Sequence, residues 1–306
     1  MQVGDDAADA VNNGRVREDG DDCGTGHHEQ HCQLAYGRRN HERVIFWVHS
    51  IQPMTTPKLF ARLENIGVRY PPKIVLQNLS LDVVEGAITC VIGLSGAGKS
   101  TILRLLNGLR RPDEGRVIVR GRDINALTER ELNEIRRTIG FAFQGAALFD
   151  SLTIGENVAL PLRENTTMSD HDIRETVMRT LESVGLNNVY DRLPDELSGG
   201  MVKRAGFARA VVNNPQCVLY DEPTTGLDPI ITHVLTELII HLRERLNGTA
   251  VIVSHDLESI FRMADYVALL YEGAIIAYGT CEEIKVSANP IVQQFLQGSE
   301  VGPIPI

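Results

Sequence analysis

GLSGAGKST (residues 93–101) fits the pattern G-x-x-x-x-G-K-[ST], and its two flanks have different periodicity. Before it stands an apolar run typical of a buried strand, AITCVIG (87–93), and after it a run typical of a helix, KSTILRLLNGL (99–109). A strand, a glycine-rich loop and a helix in this order form a phosphate-binding loop, because unpaired amides at the start of the helix face the anion. The sequence therefore predicts a nucleotide-phosphate site on an α/β fold.

Each residue type in this loop suits one part of a nucleotide–magnesium complex. The glycines let backbone amides approach the phosphates, and Lys99 supplies a mobile cation. The Ser100 hydroxyl can bind Mg²⁺, and Thr101 is expected to add a phosphate hydrogen bond. The predicted phosphate-binding residues are Gly93, Ser95, Gly96, Ala97, Gly98, Lys99, Ser100 and Thr101.

Three further apolar runs predict buried strands with polar last residues: TIGFAFQ (138–144), QCVLYDE (216–222) and TAVIVSH (249–255). Ligands of open parallel sheets bind outside the carboxyl ends of the strands. The polar residues at these ends are therefore expected to face one site: Gln144, Asp221, Glu222 and His255.

Asp221 and Glu222 are adjacent carboxylates at a strand end, which are costly to hold together without a cation. We interpret them as a catalytic pair, with Asp221 holding Mg²⁺ through water and Glu222 polarising the attacking water. The alternative is a solvated turn. His255 could contact the γ-phosphate, although a lone histidine is more often structural.

The other segments predict further strands and helices around this sheet. From Leu59 onward, short Val- and Ile-rich runs broken by Gly and Pro predict strands, whereas residues 153–197 are predicted to be helical and inserted. The run 228–248 predicts a helix that covers the sheet with one apolar stripe, formed by Ile231, Val234, Leu235, Leu238 and Leu242.

Composition limits the function classes. The chain has 306 residues, a formal charge of −10 and 43% hydrophobic residues, which suffices for a buried core and argues against a broad nucleic-acid footprint. No apolar run approaches the roughly 18–20 residues of a spanning helix. The acidic first residues do not indicate a targeting segment, so we expect a cytoplasmic location. Five dispersed cysteines make a disulfide framework unexpected.

Residues 1–53 lack apolar periodicity over most of their length, and we interpret them as a disordered N-terminal extension. The alternative is a start codon assigned too far upstream, because Met54 stands just before the first clearly predicted strand. The segment 23–32 gathers five residues that can bind zinc, but their spacing fits no zinc module and we do not favour a metal site there. These residues are Cys23, His27, His28, His31 and Cys32.

From about residue 58 to 285, the chain resembles ABC transporter ATPase subunits in GLSGAGKST, Gln144, LSGGM (197–201), LYDEP (219–223), GLDP (226–229) and His255. The resemblance implies a P-loop NTPase fold with a RecA-like parallel-sheet core, an antiparallel β subdomain and an inserted α-helical subdomain. It implies an ATPase domain at 54–290, a helical subdomain at about 145–200 and a C-terminal tail at 291–306.

The same resemblance implies a role for each matching residue, with ATP and Mg²⁺ as cofactors. Tyr70 stacks on adenine, Gln144 binds and senses Mg²⁺, and Glu222 is the catalytic base. Asp228 is the D-loop residue, and His255 is the switch histidine.

Ser198, Gly199 and Gly200 are implied to act in trans, on the nucleotide held by the other subunit of a homodimer. The expected location is the cytoplasmic face of the cell membrane, as a peripheral subunit bound to integral-membrane permease subunits. No nucleic-acid partner is expected.

A finer resemblance points to the Mla-type, Mce-associated lipid-transport ATPases. It rests on residues 141–164, on Met201 after Ser-Gly-Gly, and on QFLQGSEVGPIP (294–305), although Met201 alone could reflect packing. Mce-domain lipid-binding proteins are then possible partners.

Just after Gln144, the apolar residues Leu148, Phe149, Leu152 and Ile154 form part of the core or a groove for a permease helix. The alternatives are a soluble non-transport ABC ATPase, a regulatory nucleotide-binding module that does not turn over, and an importer ATPase for a small polar solute.

Overall fold

The computed structural model describes residues 33–39, 42–48 and 57–305, with secondary structure only for the first two ranges. The chain divides into two units at residues 56 and 57. In the first unit, strands β1 (Gln33–Arg39) and β2 (Glu42–Val48) pair antiparallel, which was not predicted. The predicted disorder of 1–53 lies largely outside the described residues. The zinc hypothesis for 23–32 lies wholly outside them.

A six-stranded sheet forms the centre of the second unit, in the order β12-β11-β5-β10-β9-β8. Five neighbouring strands are parallel and β12 pairs antiparallel with β11, which confirms the predicted parallel core and adds an unpredicted edge. Every residue of β5, β9 and β10 is buried, as their continuous apolar sequences require. The strands are β5 (Ile88–Gly93), β8 (Ile139–Ala142), β9 (Cys217–Asp221), β10 (Thr249–Val253), β11 (Tyr266–Tyr271) and β12 (Ala274–Thr280).

A second, antiparallel sheet has the order β4-β3-β6-β7. Its inward side chains share one hydrophobic core with helix α1 (Lys99–Leu106) and with one face of the central sheet. The Gln77 amide donates to the Gly273 carbonyl at 3.0 Å and thereby joins the two sheets. The strands are β3 (Leu59–Tyr70), β4 (Lys73–Val84), β6 (Glu114–Val119) and β7 (Arg122–Asp123).

Three helices between β8 and β9 form the inserted helical region, and hydroxyl caps set their starts. Thr153 and Glu156 form a reciprocal capping box before the first, while Ser169 and Ser198 accept a backbone amide at the starts of the other two. These helices are α3 (Ile154–Asn165), α4 (Asp170–Ser183) and α5 (Gly199–Val211). The remaining helices are α2 (Glu129–Arg136), α6 (Pro229–Leu246), α7 (Leu257–Met263), α8 (Cys281–Lys285) and α9 (Pro290–Gln297).

Helix α6 buries most of the predicted stripe, with Ile231 and Leu238 partly buried against the core. Leu235, Ile239 and Leu242 are fully buried, whereas Val234 is 38% exposed, so its predicted place on the sheet is wrong. At the other end of the chain, Gln294 of α9 exchanges two hydrogen bonds with the backbone of Ile304, at 2.6 and 3.1 Å. The last described residues therefore fold back on α9 and bury Ile304.

None of the helices in the described ranges is long and apolar enough to span a membrane. Cys90, Cys217 and Cys281 are buried free thiols, and burial raises the pKa of the Cys90 and Cys217 thiols. Cys23 and Cys32 lie outside the described residues.

Candidate active site

The phosphate-binding loop connects the end of β5 directly to the start of α1. Gly96 has φ 76° and Gly98 has φ 108°, in the left-handed region that side chains rarely adopt. A Cβ on Gly98 would also stand 2.9 Å from side-chain atoms of Val75 and Leu76. The loop pattern therefore follows from backbone geometry, and it brings the loop to the N-terminus of α1, where helix amides can face an anion.

Lys99 is 5% exposed and lies at the centre of this loop. Its Nζ donates to the carbonyls of Gly93 at 3.0 Å and Leu94 at 3.2 Å, and lies 3.4 Å from Glu222 Oε1. The cation is thus fixed between the loop that precedes α1 and the carboxylate that follows β9.

Ser100 and Asp221 bring two oxygen atoms together, since the Ser100 hydroxyl donates to Asp221 Oδ1 at 2.8 Å. Burial raises the pKa of the Asp221 carboxyl, and the hydrogen bond from Ser100 opposes this effect only in part. A buried carboxylate with incomplete compensation, beside a hydroxyl, is the hard oxygen donor set that Mg²⁺ prefers. The residues present therefore fit a magnesium ion.

Glu222 is buried and its carboxylate has fixed partners. Oε2 lies 2.9 Å from Nδ1 of His255 and accepts a hydrogen bond from the Thr225 hydroxyl at 2.9 Å. The backbone of Glu222 has φ 47°, a conformation that is uncommon outside glycine and is found at functional sites. His255 is itself half exposed, so its ring can move while the carboxylate stays in place.

A cleft of about 410 Å³ connects these groups. The Tyr70 ring is 42% exposed at this cleft and has the Arg110 guanidinium 5.6 Å from its centroid. The cleft thus offers an aromatic face together with a loop of amides and a buried lysine, which matches the parts of a nucleotide. It is lined by Tyr70, Val75, Ser95, Gly96, Gly98, Lys99, Ser100, Thr101, Gln144 and Glu222.

Most of the predicted site residues therefore meet here. Asp221 is connected to the cleft by the hydrogen bond from Ser100, and His255 by its contact with Glu222. Gly93 and Ala97 belong to the phosphate-binding loop. Among the described residues, four further predicted ones neither line the cleft nor belong to its loop: Ser198, Gly199, Gly200 and Asp228.

These four residues lie instead at the starts of two helices. Ser198 is exposed and its hydroxyl accepts from the Met201 amide at 3.4 Å, while Asp228 accepts from the Ile230 and Ile231 amides at 3.0 Å. A Cβ on Gly200 would stand 2.9 Å from Ile231, so α5 and α6 approach closely at this point.

Sequence reasoning missed several residues that hold the site. Thr225 positions Glu222, and Lys203 of α5 donates to the backbone carbonyls of Gln144 and Glu222. The sequence does not indicate this role for Lys203, because a lysine in a helix usually lies on a solvent-exposed face. Val75 lines the cleft from β4, and its sequence context is that of an ordinary strand residue.

Comparison with known proteins agrees with this geometry. The model of the ABC transporter family matches residues 76–225. The chain is 41% identical over 242 residues to the "Intermembrane phospholipid transport system ATP-binding protein MlaF" of Haemophilus influenzae, covering 79% of this chain and 92% of that protein. It is 40% identical over 230 residues to the "Probable ribonucleotide transport ATP-binding protein mkl" of Mycobacterium leprae, covering 75% and 66%.

Solved structures agree on the fold. A dimeric post-hydrolysis state of the ATP-binding cassette MJ0796, bound to ADP and Pi, superposes with a TM-score of 0.67 at 33% identity and covers 72% of this chain and 98% of that one. The cbiO1 component of the cbiONQ transporter of Clostridium perfringens gives a TM-score of 0.68 at 26% identity, covering 78% and 95%. The chain belongs to the ABC transporter family, as one of its ATP-binding and ATP-hydrolysing subunits.

Proposed function

We propose that this chain hydrolyses ATP to energise lipid transport across the cell envelope, as a peripheral subunit on the cytoplasmic face of the membrane. The observation that carries the lipid assignment is the 41% identity to a phospholipid-transport ATPase over 92% of that protein's length. Integral-membrane permease subunits are the direct partners in this proposal, and lipid-binding proteins of the Mce type are further partners.

The residues of the cleft divide the work of hydrolysis among them. Lys99 and the loop amides bind the β- and γ-phosphates, and Tyr70 stacks on the adenine ring. Ser100, Asp221 and Gln144 would hold Mg²⁺, which when bound neutralises charge on the phosphate oxygens. Glu222 then orients the attacking water and accepts its proton.

His255 is a positioning residue in this scheme. Its Nδ1 lies 2.9 Å from Glu222 Oε2, so the ring limits where the carboxylate can point. Because its side chain is about half exposed, the ring can also turn toward a γ-phosphate held by Lys99.

We infer that two copies of this chain form the working unit, with two sites related by a two-fold axis. Ser198 and Gly199 are exposed at the start of α5, outside the cleft of their own chain, where a helix N-terminus can bind a phosphate of the other chain. Asp228 begins α6 beside them and would lie at the same interface. The dimeric state of the MJ0796 cassette supports this arrangement.

An exposed apolar surface supports the permease assignment. Phe143 and Phe149, in the loop after β8, are 40% and 57% exposed, although they follow a buried strand. In this proposal a helix of the membrane subunit covers these two side chains. Transport of a polar solute is the second candidate, because a relative named for ribonucleotide transport is 40% identical.

Copurification and reconstitution test the proposal. The tagged chain, extracted from membranes with mild detergent, should bring down an integral-membrane protein, and the complex should be placed in vesicles with a fluorescent phospholipid or a labelled ribonucleotide. ATP-dependent movement of the phospholipid is expected, and Lys99→Ala should abolish it. Uptake of the ribonucleotide without lipid movement would transfer the assignment to the second candidate, and ATP hydrolysis with no membrane partner would favour a soluble ATPase.

A further inference from the structure

The loop between β8 and α3 has its backbone held by two cations from α5. Lys203 Nζ donates to the carbonyl of Gln144. Arg209 Nη1 and Nη2 donate to the carbonyls of Ala147 at 2.7 Å and Ala146 at 2.6 Å. Three carbonyls near the start of this loop thus accept hydrogen bonds from one helix.

These contacts come from one face of α5. Lys203 and Arg209 are six residues apart with Gly206 midway, and residues three apart share a helix face. Gly206 lets the loop come close, since a Cβ there would stand 2.9 Å from the Cβ of Ala146. The helix therefore contacts the loop with both backbone and side chains.

The held segment has an unusual backbone. Ala146 and Ala147 have φ values of 60° and 49°, in the left-handed region, where alanine is rare. Such conformations persist only where the surroundings impose them. Arg209 of α5 supplies that restraint, because its guanidinium binds the carbonyls of both residues.

The other end of the loop is fixed independently by α3. Asn157 is fully buried; its Oδ1 accepts from the Phe149 amide at 2.7 Å, and its Nδ2 donates to the carbonyls of Phe149 at 3.0 Å and Leu152 at 3.1 Å. With this end held, the position of Gln144 depends on Lys203 and Arg209.

Lys203 has a second partner just after β9. Its Nζ also donates to the carbonyl of Glu222 at 3.3 Å, so a single ammonium group joins Gln144, two residues after β8, to Glu222, the residue that follows β9. The same helix is capped by Ser198, five positions before Lys203.

We propose that Lys203 and Arg209 form an α5 clamp that sets the position of Gln144 and Glu222 relative to the start of α5. This rests on the proposed function, in which Gln144 and Glu222 serve the chain's own ATP and Ser198 the partner's ATP. Displacement of α5 by the partner's nucleotide moves both residues in the chain's own site. Lys203 and Arg209 are positioning residues, because they act through backbone carbonyls.

Lys203→Met tests the clamp, because methionine keeps an unbranched apolar side chain and removes the donor. We expect kcat to fall about 10- to 100-fold, the size of effect that a misplacement of about 1 Å produces, while KM for ATP stays unchanged. Hydrogen exchange at the Ala146 amide should accelerate, because its bond to the Phe143 carbonyl at 2.9 Å spans Gln144, whose carbonyl Lys203 holds. If Lys203 served stability alone, the substitution would lower the melting temperature. It would not accelerate hydrogen exchange in the folded protein, and it would not lower kcat at an unchanged KM.

Arg204→Met is the matched control on the same helix. Arg204 donates to the Gly185 carbonyl at 3.4 Å, away from the loop, so its loss should leave kcat and the exchange at Ala146 unchanged. Lys203→Arg, which keeps a charged donor, should recover most of the activity. If Lys203→Met does not fold, Lys203→Leu, which also lacks a donor, is subjected to the same two measurements.

If the Lys203→Met protein has wild-type kcat, or if its hydrogen exchange is unchanged, the clamp proposal is overturned, whatever the other variants show. The proposed roles of the site residues fail separately, when Gln144→Ala or Glu222→Gln hydrolyses ATP at the wild-type rate.

Discussion

Glu222 illustrates how much one side chain is asked to do in this site. Its carboxylate lies near the Lys99 ammonium, accepts from Thr225 and contacts His255, all while buried. A buried carboxylate is tolerated only when paired and hydrogen-bonded, and these partners supply both. The same partners hold it at a fixed place beside the phosphate loop, which is what a group that orients water requires.

Replacing Glu222 with Gln should stop chemistry after nucleotide binding. The amide keeps the shape but loses the charge that polarises water, so turnover should fall at least about 100-fold, the lower range for a general base. ATP affinity should hold or rise, because Lys99 loses a competing anion 3.4 Å away. Light scattering with ATP and Mg²⁺ should detect a persistent ATP-bound dimer.

Glu237→Gln provides the control for this substitution. Glu237 pairs with Arg262 at 2.6 Å on the half-exposed surface of α6, so the same chemical change there should leave turnover unaffected. A Glu222→Gln protein that stays monomeric and hydrolyses ATP at the wild-type rate would move the catalytic role elsewhere, with His255 the next residue to test.

Asp221→Asn should separate stability from activity. Burial raises the pKa of the Asp221 carboxyl, so the folded chain disfavours its charged form, and an amide removes that cost while keeping an oxygen for Ser100. Without Mg²⁺, the melting temperature should therefore stay the same or rise, while Mg²⁺-dependent hydrolysis is lost. Calorimetry in a chelating buffer measures the first effect, and a fall of several degrees would contradict it.

At the scale of elements, α5 is the helix that connects most parts of the site. Its N-terminus carries Ser198, and Lys203 and Arg209 bind the loop after β8. The residues of such a helix are determined by these contacts as well as by the need for one apolar and one polar face. Gly200 and Gly206, which are poor helix formers, stand where α6 and the loop approach.

Gly206→Ala tests the close approach between α5 and the loop. The added Cβ would lie 2.9 Å from the Cβ and 3.2 Å from the Cα of Ala146, so the loop must move. We expect a loss of about 1–3 kcal/mol in the free energy of unfolding, typical of overpacking, together with lower kcat. Gly145→Ala adds the same methyl group to the loop where nothing lies within 4 Å, and should unfold like wild type in the same denaturant titration.

The whole molecule shows which features a linear pattern can predict. Parallel pairing brings the ends of three strands together, and Asp221, at the end of β9, stands in register with Val253 of β10. The residues at or just after these ends are Gln144, Asp221, Glu222 and His255. Local pattern and one topological rule suffice for these residues. Helix α6, by contrast, is apolar on several faces, so its sequence does not indicate whether Val234 or Ile239 covers the sheet. The contacts of Lys203 depend on tertiary packing and have no sequence period.

The final prediction concerns the pairing of two chains. Ser198→Arg places a long side chain at the exposed start of α5, outside its own cleft, and removing the cap should cost only about 0.5–2 kcal/mol. The variant should therefore fold and bind ATP as a monomer but fail to close a homodimer. Lys99→Ala should fail for the opposite reason, because its own loop lacks the main cation for the phosphates.

Mixed dimers distinguish action in trans from action within one chain. In a Glu222→Gln background, a dimer of one Ser198→Arg chain and one Lys99→Ala chain keeps one composite site, made of the first chain's Lys99 and the second chain's Ser198. It should retain a single labelled ATP after gel filtration. A dimer that carries both substitutions on one chain, paired with a chain that has neither, has a defect in each composite site and should retain none. If each nucleotide were instead completed within its own chain, the results would be reversed: the doubly substituted dimer would keep one ATP on its unsubstituted chain, and the first dimer would keep none.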